Sequence, residues 1–199
     1  MPVLRAGTGS ALHDAYLDRL LTWSDIQEYM PFLHGTAKSY DKVRILELGT
    51  RKGNSTLAFL AAAEAVGGKV TSVDIDRMPD PPDCPFWTFV QGSDTESAVQ
   101  ARLPAEIDVL FIDTSHEYEH TLAELRAYMP RVIPGGIALF HDTNLFGWRE
   151  GLPAGIWSGT PEAGEHYPEV RQALDEYCKE TGLSWENKPG FYGLGIIRP

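Results

Sequence analysis

Cysteine is nearly absent from this chain: Cys84 and Cys178 are the only two in 199 residues, and no CxxC pair or Cys/His cluster occurs. That excludes a disulfide-stapled fold and a thiolate metal knot, and it fits a reduced, cytoplasmic setting. Long apolar runs are missing too. None approaches the roughly 20 residues that span a bilayer, and the N-terminus lacks the basic-then-apolar pattern of a secretion signal, so no membrane association is expected. Positive charge is scarce, with 17 Lys and Arg against 28 Asp and Glu, a net charge of −11 and a pI near 4.9. Such a field repels a phosphate backbone, so nucleic acid is not an expected partner. Internal repeats and low-complexity tracts are also lacking.

What remains is ordinary globular chemistry: 43% hydrophobic, 11% aromatic and 23% charged residues, at a length suited to one substantial core. Leu12, Tyr16, Leu17, Leu20 and Leu21 share a helical face, and Ser24-Asp25-Ile26-Gln27 has capping-box spacing, so residues 1–42 read as a helical cap. From Val43 the pattern changes to short apolar runs separated by helical stretches: Val43–Gly49, a helix to Val66, Lys69–Asp76, Trp87–Gly92, a short helix opened by Ser93-x-x-Glu96, and Ile107–Asp113. Tyr118, Leu122, Leu125 and Met129 then stripe a helix that ends near Pro130, ahead of a strand Gly136–Asp142. Strand-helix alternation implies a parallel sheet with helices on both faces. Residues 143–168 are rich in Gly, Pro and Trp without periodicity and read as a substrate loop. A helix over Glu169–Glu180 and an antiparallel pair, Leu183–Lys188 with Gly193–Ile197, complete a Rossmann-like, seven-stranded, mostly parallel sheet in a single domain.

Ligands of such sheets bind beyond the carboxyl ends of the strands, and those ends are polar throughout. The first ends in Glu47-Leu48-Gly49-Thr50-Arg51-Lys52-Gly53, where glycines permit a sharp turn and close approach to the backbone while the following helix offers unpaired N–H groups. The second ends at Asp74 and Asp76, about 25 residues on, near the ~20 expected of an acid that accepts hydrogen bonds from ribose hydroxyls. The third ends at Gly92-Ser93-Asp94, the fourth at Asp113 and the fifth at His141-Asp142. Arg51 stands where a G-x-G-x-x-G fingerprint has its second glycine, which disfavours a nicotinamide cofactor.

With these motifs in order, the chain resembles the class I S-adenosylmethionine-dependent methyltransferases. Phe111-Ile112-Asp113-Thr114-Ser115-His116-Glu117-Tyr118 is similar to the F-I-D-x-x-H-x-Y signature of the small bacterial O-methyltransferases related to macrocin O-methyltransferase and the cephalosporin-hydroxylase-like proteins. Pro134-Gly135-Gly136 through Asp142 resembles their P-G-G-x-x-x-x-x-D strand. The likeness implies that Glu47, Gly49, Thr50, Gly53 and Ser55 hold the methionine part of the cofactor, Asp74 its ribose, and Ser93 and Asp94 its adenine, with Asp113 also at the cofactor edge. It further implies that Asp113 and Asp142 are ligands of a divalent metal, usually magnesium, joined by His141, and that His116 is the general base. Having His141 where related enzymes place an acid shifts the expected preference from magnesium toward zinc, manganese or iron. The implied activity is methyl transfer to a small-molecule hydroxyl, on a sugar or phenol of secondary metabolism; the oligomeric state stays open between a monomer and a homodimer paired through the amphipathic N-terminal helices. A non-catalytic binding module and a NAD-dependent oxidoreductase stay open as alternatives. Trp148, Trp157, Tyr167 and Phe191 are candidates for a pocket wall, and His13, His34 and His120 read as surface or packing residues.

Overall fold

Alternation of side chains along the strands divides the interior into two layers. In the computed structural model, which describes residues 9–147, 155–157, 159 and 167–199, strand β1 (Arg44–Leu48) sends Ile45 to one face and Leu46 and Leu48 to the other. Strand β4 (Ile107–Ile112), buried along its whole length, does the same with Val109 and Phe111 against Leu110 and Ile112. A strand buried on both faces is the signature of a parallel sheet between helical layers.

One layer is formed by α1 (Ala11–Arg19), α2 (Met30–Lys38) and α3 (Asn54–Val66), with Tyr16, Leu33, Ala37 and Phe59 in the core. The other contains α5 (Tyr118–Tyr128) and α6 (Glu169–Thr181), whose Leu125, Ala173 and Leu174 are fully buried. The remaining strands of the main sheet are β2 (Lys69–Asp74), β3 (Trp87–Gln91), β5 (Val132–His141), β8 (Trp185–Lys188) and β9 (Leu194–Ile197), with a short α4 (Ser97–Gln100) after β3. Their order is β3-β2-β1-β4-β5-β9-β8, seven strands parallel except β9, which runs antiparallel to both β5 and β8. The expected sheet is therefore observed. Two further short strands, β6 (Leu145–Phe146) and β7 (Gly155–Ile156), pair antiparallel inside the segment read as a substrate loop. No described helix is long and apolar enough to cross a membrane.

Several local expectations give way. Ser24 heads a turn rather than a helix, because α2 starts at Met30 with a proline in its first turn. Ser93 likewise starts no helix: its hydroxyl bonds Thr95, and α4 begins after Glu96. Leu21 is 69% exposed because α1 stops at Arg19, two residues short of the stripe's end. Strand β5 begins at Val132 rather than Gly136. His34 packs as expected, stacked on Tyr16 with ring centroids 4.6 Å apart.

Chain order reverses at β1, which has β2 on one side and β4 on the other. Register pairs Leu48 with Ile112 and Ile112 with Phe140, so Gly49, Asp113 and His141, each one residue further on, reach the same edge. This is the switch point where open α/β sheets bind ligands. Gly49 has φ +86°, and a Cβ there would lie 1.9 Å from the Asp113 carbonyl oxygen. Gly135 has a similar φ, +83°, but open space around it. Gly135→Ala is expected to cost about 1 kcal/mol for the left-handed backbone alone, and Gly49→Ala about 4 kcal/mol or more, since backbone must move. Denaturant midpoints of the two variants test this; equal losses would show that the strand-end approach carries no special constraint.

Candidate active site

The turn after β1 is left-handed at Gly49, Arg51 and Gly53, with φ of 86°, 42° and 77°. Asp74 organises it. One carboxylate oxygen accepts from the Thr50 amide at 2.7 Å, the Thr50 hydroxyl at 3.0 Å and the Arg51 amide at 3.0 Å, while the other accepts from the Asp76 amide at 3.0 Å. The residue expected to meet a ribose thus ties the end of β2 to the glycine turn. Across the turn, the Arg51 guanidinium reaches Asp25 at 2.7 Å.

Glu47 departs from expectation as a direct cofactor contact. It is fully buried, and its two oxygens accept from the hydroxyls of Ser55 (2.7 Å), Thr56 (2.8 Å) and Ser72 (2.6 Å). Ser72 in turn accepts from the Trp87 indole N–H at 3.0 Å. Ser55, buried as well, spends its hydroxyl on Glu47 and so leaves the expected cofactor contacts with it. Burial pushes the Glu47 carboxyl up to about 7 against the three hydroxyls that stabilise its charge. The pair clamps β1 and β2 to the first turn of α3, so it holds the turn in place from beneath.

The ends of β4 and β5 bring together Asp113, His116, His141 and Asp142. The His116 Nε2 lies 3.1 Å from an Asp113 oxygen and 2.9 Å from an Asp142 oxygen; the His141 Nδ1 lies 3.4 and 3.0 Å from the same two. His116 and Asp142 both have φ of 60°, an uncommon conformation for residues with a Cβ and one that collects at functional sites. Burial opposes charge on every member, yet the two imidazoles hold both carboxyls below their usual range, and the carboxylates raise His116 to about 9 and His141 well above its ordinary value. His141 is fully buried between the rings of Tyr29 and Tyr192, at 5.8 and 6.0 Å. Its Nε2 and the Asp142 Oδ1 are buried without a hydrogen-bond partner. Donor atoms of Asp113, His141 and Asp142 lie within 4.8 Å of one another. That buried set of two oxygens and a nitrogen, with unspent polar atoms, fits a divalent cation, and its nitrogen favours a transition metal over magnesium.

At the end of β3, Asp94 is turned toward α5. It is neither a helix cap nor an exposed carboxylate: its Oδ1 lies 2.9 Å from the His120 Nε2, and His120 is 3.6 Å from Glu124. His120, set aside from the sequence, is therefore part of a buried polar cluster. The sequence also gave no sign of Arg171. Residues 142–170 separate it from the end of β5, yet its Nε donates to the Thr143 carbonyl at 2.7 Å and a terminal nitrogen to the Asn144 side chain at 2.8 Å, just after Asp142. Its guanidinium stacks on Trp157 at 4.3 Å and Trp185 at 5.1 Å. Beside it, a cleft of about 360 Å³ is lined by Asn144, Trp157, Asn187 and Phe191, among others. Trp148 lies outside the described residues.

Residues 46–143 match a family model described as "Methyltransferase domain". The chain carries a methyltransferase domain. This methyltransferase is 28% identical over 180 residues to the rhamnosyl O-methyltransferase of Mycobacterium tuberculosis, covering 83% of this chain and 71% of that protein. Its fold matches the SAH-bound methyltransferase PaMTH1 of Podospora anserina at a TM-score of 0.62 and 17% identity, over 97% of this chain and 89% of that one. It also matches MycE of the mycinamycin biosynthetic pathway, solved with Mg, SAH and mycinamycin VI, at 0.64 and 18% identity, over 96% and 55%.

Removing the Glu47 carboxylate orphans hydroxyls that are themselves buried, which costs about 1–3 kcal/mol for each group left unsatisfied. Glu47→Ala is expected to lower stability by about 3 kcal/mol or more, whereas Asp74→Ala, at a half-buried site, is expected to weaken S-adenosylmethionine binding at least about tenfold for a smaller stability loss. Calorimetric titration beside thermal melting separates the two, and a Glu47 variant with native stability would contradict the clamp.

Proposed function

We propose that this methyltransferase transfers the methyl group of S-adenosylmethionine to a hydroxyl oxygen of a sugar-bearing small molecule, at an edge where Asp113, His141 and Asp142 hold a divalent cation and His116 is the base. One observation carries the reading: two carboxylates and two imidazoles converge at the ends of β4 and β5, immediately beyond the glycine turn of β1.

Cofactor and metal, when bound, supply an electrophilic methyl carbon and a Lewis acid that makes a coordinated hydroxyl more acidic. The chain supplies the rest. The Gly49–Gly53 turn and the N-terminus of α3 present backbone N–H groups, held in shape by Asp74 from the side and Glu47 from below. Thr50, whose hydroxyl is spent on Asp74, contributes backbone rather than side chain. Ser93 and the backbone beside Asp94 border the adenine end. With a cation neutralising Asp113 and Asp142, those carboxylates would no longer hold a proton on His116, and its Nε2 would then be placed to accept the acceptor's proton. Positioning completes the task, since in-line displacement needs the oxygen held against the methyl carbon.

The 360 Å³ cleft past Asp142 suits a sugar: Trp157 and Phe191 offer flat apolar faces, and Asn144 and Asn187 offer amides for hydroxyls. The rhamnosyl relative supports a deoxysugar hydroxyl as the acceptor.

Release of S-adenosylhomocysteine across a panel of rhamnosides, against phenolic and nucleic-acid controls, tests the acceptor class. His116→Asn is expected to lower kcat about 100-fold or more while S-adenosylmethionine affinity stays within about threefold. A chelator is expected to abolish turnover, with manganese, cobalt or zinc restoring it better than magnesium. Full activity of the His116 variant removes it from the mechanism; turnover indifferent to chelator removes the metal.

A further inference from the structure

We infer that Asp94, His120 and Glu124 form a second site for a divalent transition-metal ion, built from residues separate from the Asp113–His141–Asp142 set. His120 and Glu124 stand one turn apart on α5 and therefore on one face of it, and the loop after β3 brings Asp94 against them. The His120 Nε2 is 2.9 Å from the Asp94 Oδ1 and 3.6 Å from the Glu124 Oε1, and the three donor atoms all lie within 4.8 Å of one another.

Three features distinguish this cluster from a surface ion pair. Glu124 is fully buried and Asp94 is 7% exposed, so both carboxylates are out of water. The Asp94 Oδ1, the His120 Nε2 and the Glu124 Oε2 are buried atoms without a hydrogen-bond partner. The 2.9 Å approach of imidazole to Asp94 is thus a contact of charge and not an aligned hydrogen bond, and a buried carboxylate oxygen left unbonded is costly. Charge gives the third feature. Two carboxylates and a neutral imidazole are balanced by one dication, whereas a single proton on His120 matches only one carboxylate, and burial pushes the Glu124 carboxyl up to about 7, toward taking a second proton.

The surroundings are those of a supported ligand set. Thr114, next in sequence to Asp113, donates its hydroxyl to the Glu124 Oε1 at 2.9 Å, orienting that carboxylate. Gln100 donates to the Asp94 carbonyl at 3.0 Å, and the Tyr128 hydroxyl donates to the same oxygen, fixing the loop that carries it. Such outer contacts orient metal ligands and tune their affinity. The His120 side chain, 27% exposed, marks the way in. One imidazole nitrogen with two carboxylate oxygens suits zinc, manganese, cobalt or iron(II). An ion there would pin the end of β3 to α5 at the border of the cofactor crevice.

The competing occupant is a proton on His120, which Asp94 and Glu124 hold up to about 10. Metal-stripped protein titrated with Co²⁺, read by bound metal per chain and visible absorption, decides between them. Asp113→Asn/Asp142→Asn protein is expected to bind one equivalent, and adding His120→Gln to remove it. In the otherwise native chain, His120→Gln is expected to lower the count by one, whether or not the other set binds. Glu124→Gln, which keeps an acceptor for Thr114, is expected to weaken Co²⁺ at least tenfold. Should His120→Gln fold poorly, as circular dichroism would show, the Glu124→Gln affinity and the Co²⁺-induced rise in Tm of the Asp113→Asn/Asp142→Asn protein carry the same decision. Absence of any bound equivalent in the latter protein, or no loss on changing His120 or Glu124, overturns the site and leaves the protonated imidazole as the bridge.

Discussion

Between Gly49 and the carbonyl of Asp113 there is no room for even a methyl group: a Cβ would sit 1.9 Å from that oxygen. That contact draws the turn after β1 against the end of β4, and everything functional in the molecule follows from it. The turn becomes left-handed at alternate residues, and Asp113, one residue past the Leu48–Ile112 pair, ends its strand beside that turn. A sheet of the same order with a bulkier residue at 49 would keep its core and lose its site.

The second constraint is electrostatic. A chain of net charge −11 buries several carboxylates at one edge, and it neutralises each by different means. Glu47 is held by hydroxyls, which stabilise an anion without adding charge, so burial still wins and its carboxyl is pushed up to about 7. Asp113 and Asp142 are held by imidazoles, so they stay ionised and the imidazoles stay basic. The same kind of residue is therefore part of the scaffold at Glu47 and of the proposed reactive centre at Asp113 and Asp142, according to what surrounds it. Asp94 and Glu124 share a single imidazole, which matches only one of them, and burial pushes Glu124 up to about 7 as it does Glu47.

Much of this was legible in the chain because strands have a period of two and open sheets use their carboxyl ends. Those rules place Gly49, Asp74, Asp113, His141 and Asp142 on one edge before any coordinates are consulted. The same period also says where Glu47 points: it shares parity with Ile45, whose side chain lies in the layer of α3, where Ser55 and Thr56 are. Reading the strand end as a ligand site hid that inference. His120 and Glu124 have helical spacing, but the third member, Asp94, comes from another element, and only tertiary packing joins them. The Ser24 and Ser93 capping patterns failed because a capping box needs a helix that tertiary contacts agree to start there; Pro31 and Glu96 lie at the starts that were used.

Arg171 shows why the acceptor side resists sequence reading and how it is joined to the chemistry. Its backbone is in α6, its hydrogen bonds go to Thr143 and Asn144, and its planar faces lie against Trp157 and Trp185. Thr143 follows directly on Asp142, whose φ of 60° is sustained only if the surrounding chain holds it. The guanidinium supplies that hold and also seats Trp157, one wall of the cleft proposed for the sugar. The same planar guanidinium therefore links Trp157 to the Thr143 carbonyl, the residue after Asp142. On the proposed reading, Arg171 would couple the seating of the acceptor to the geometry of the acid beside His116, because the one side chain holds both Trp157 and the backbone after Asp142.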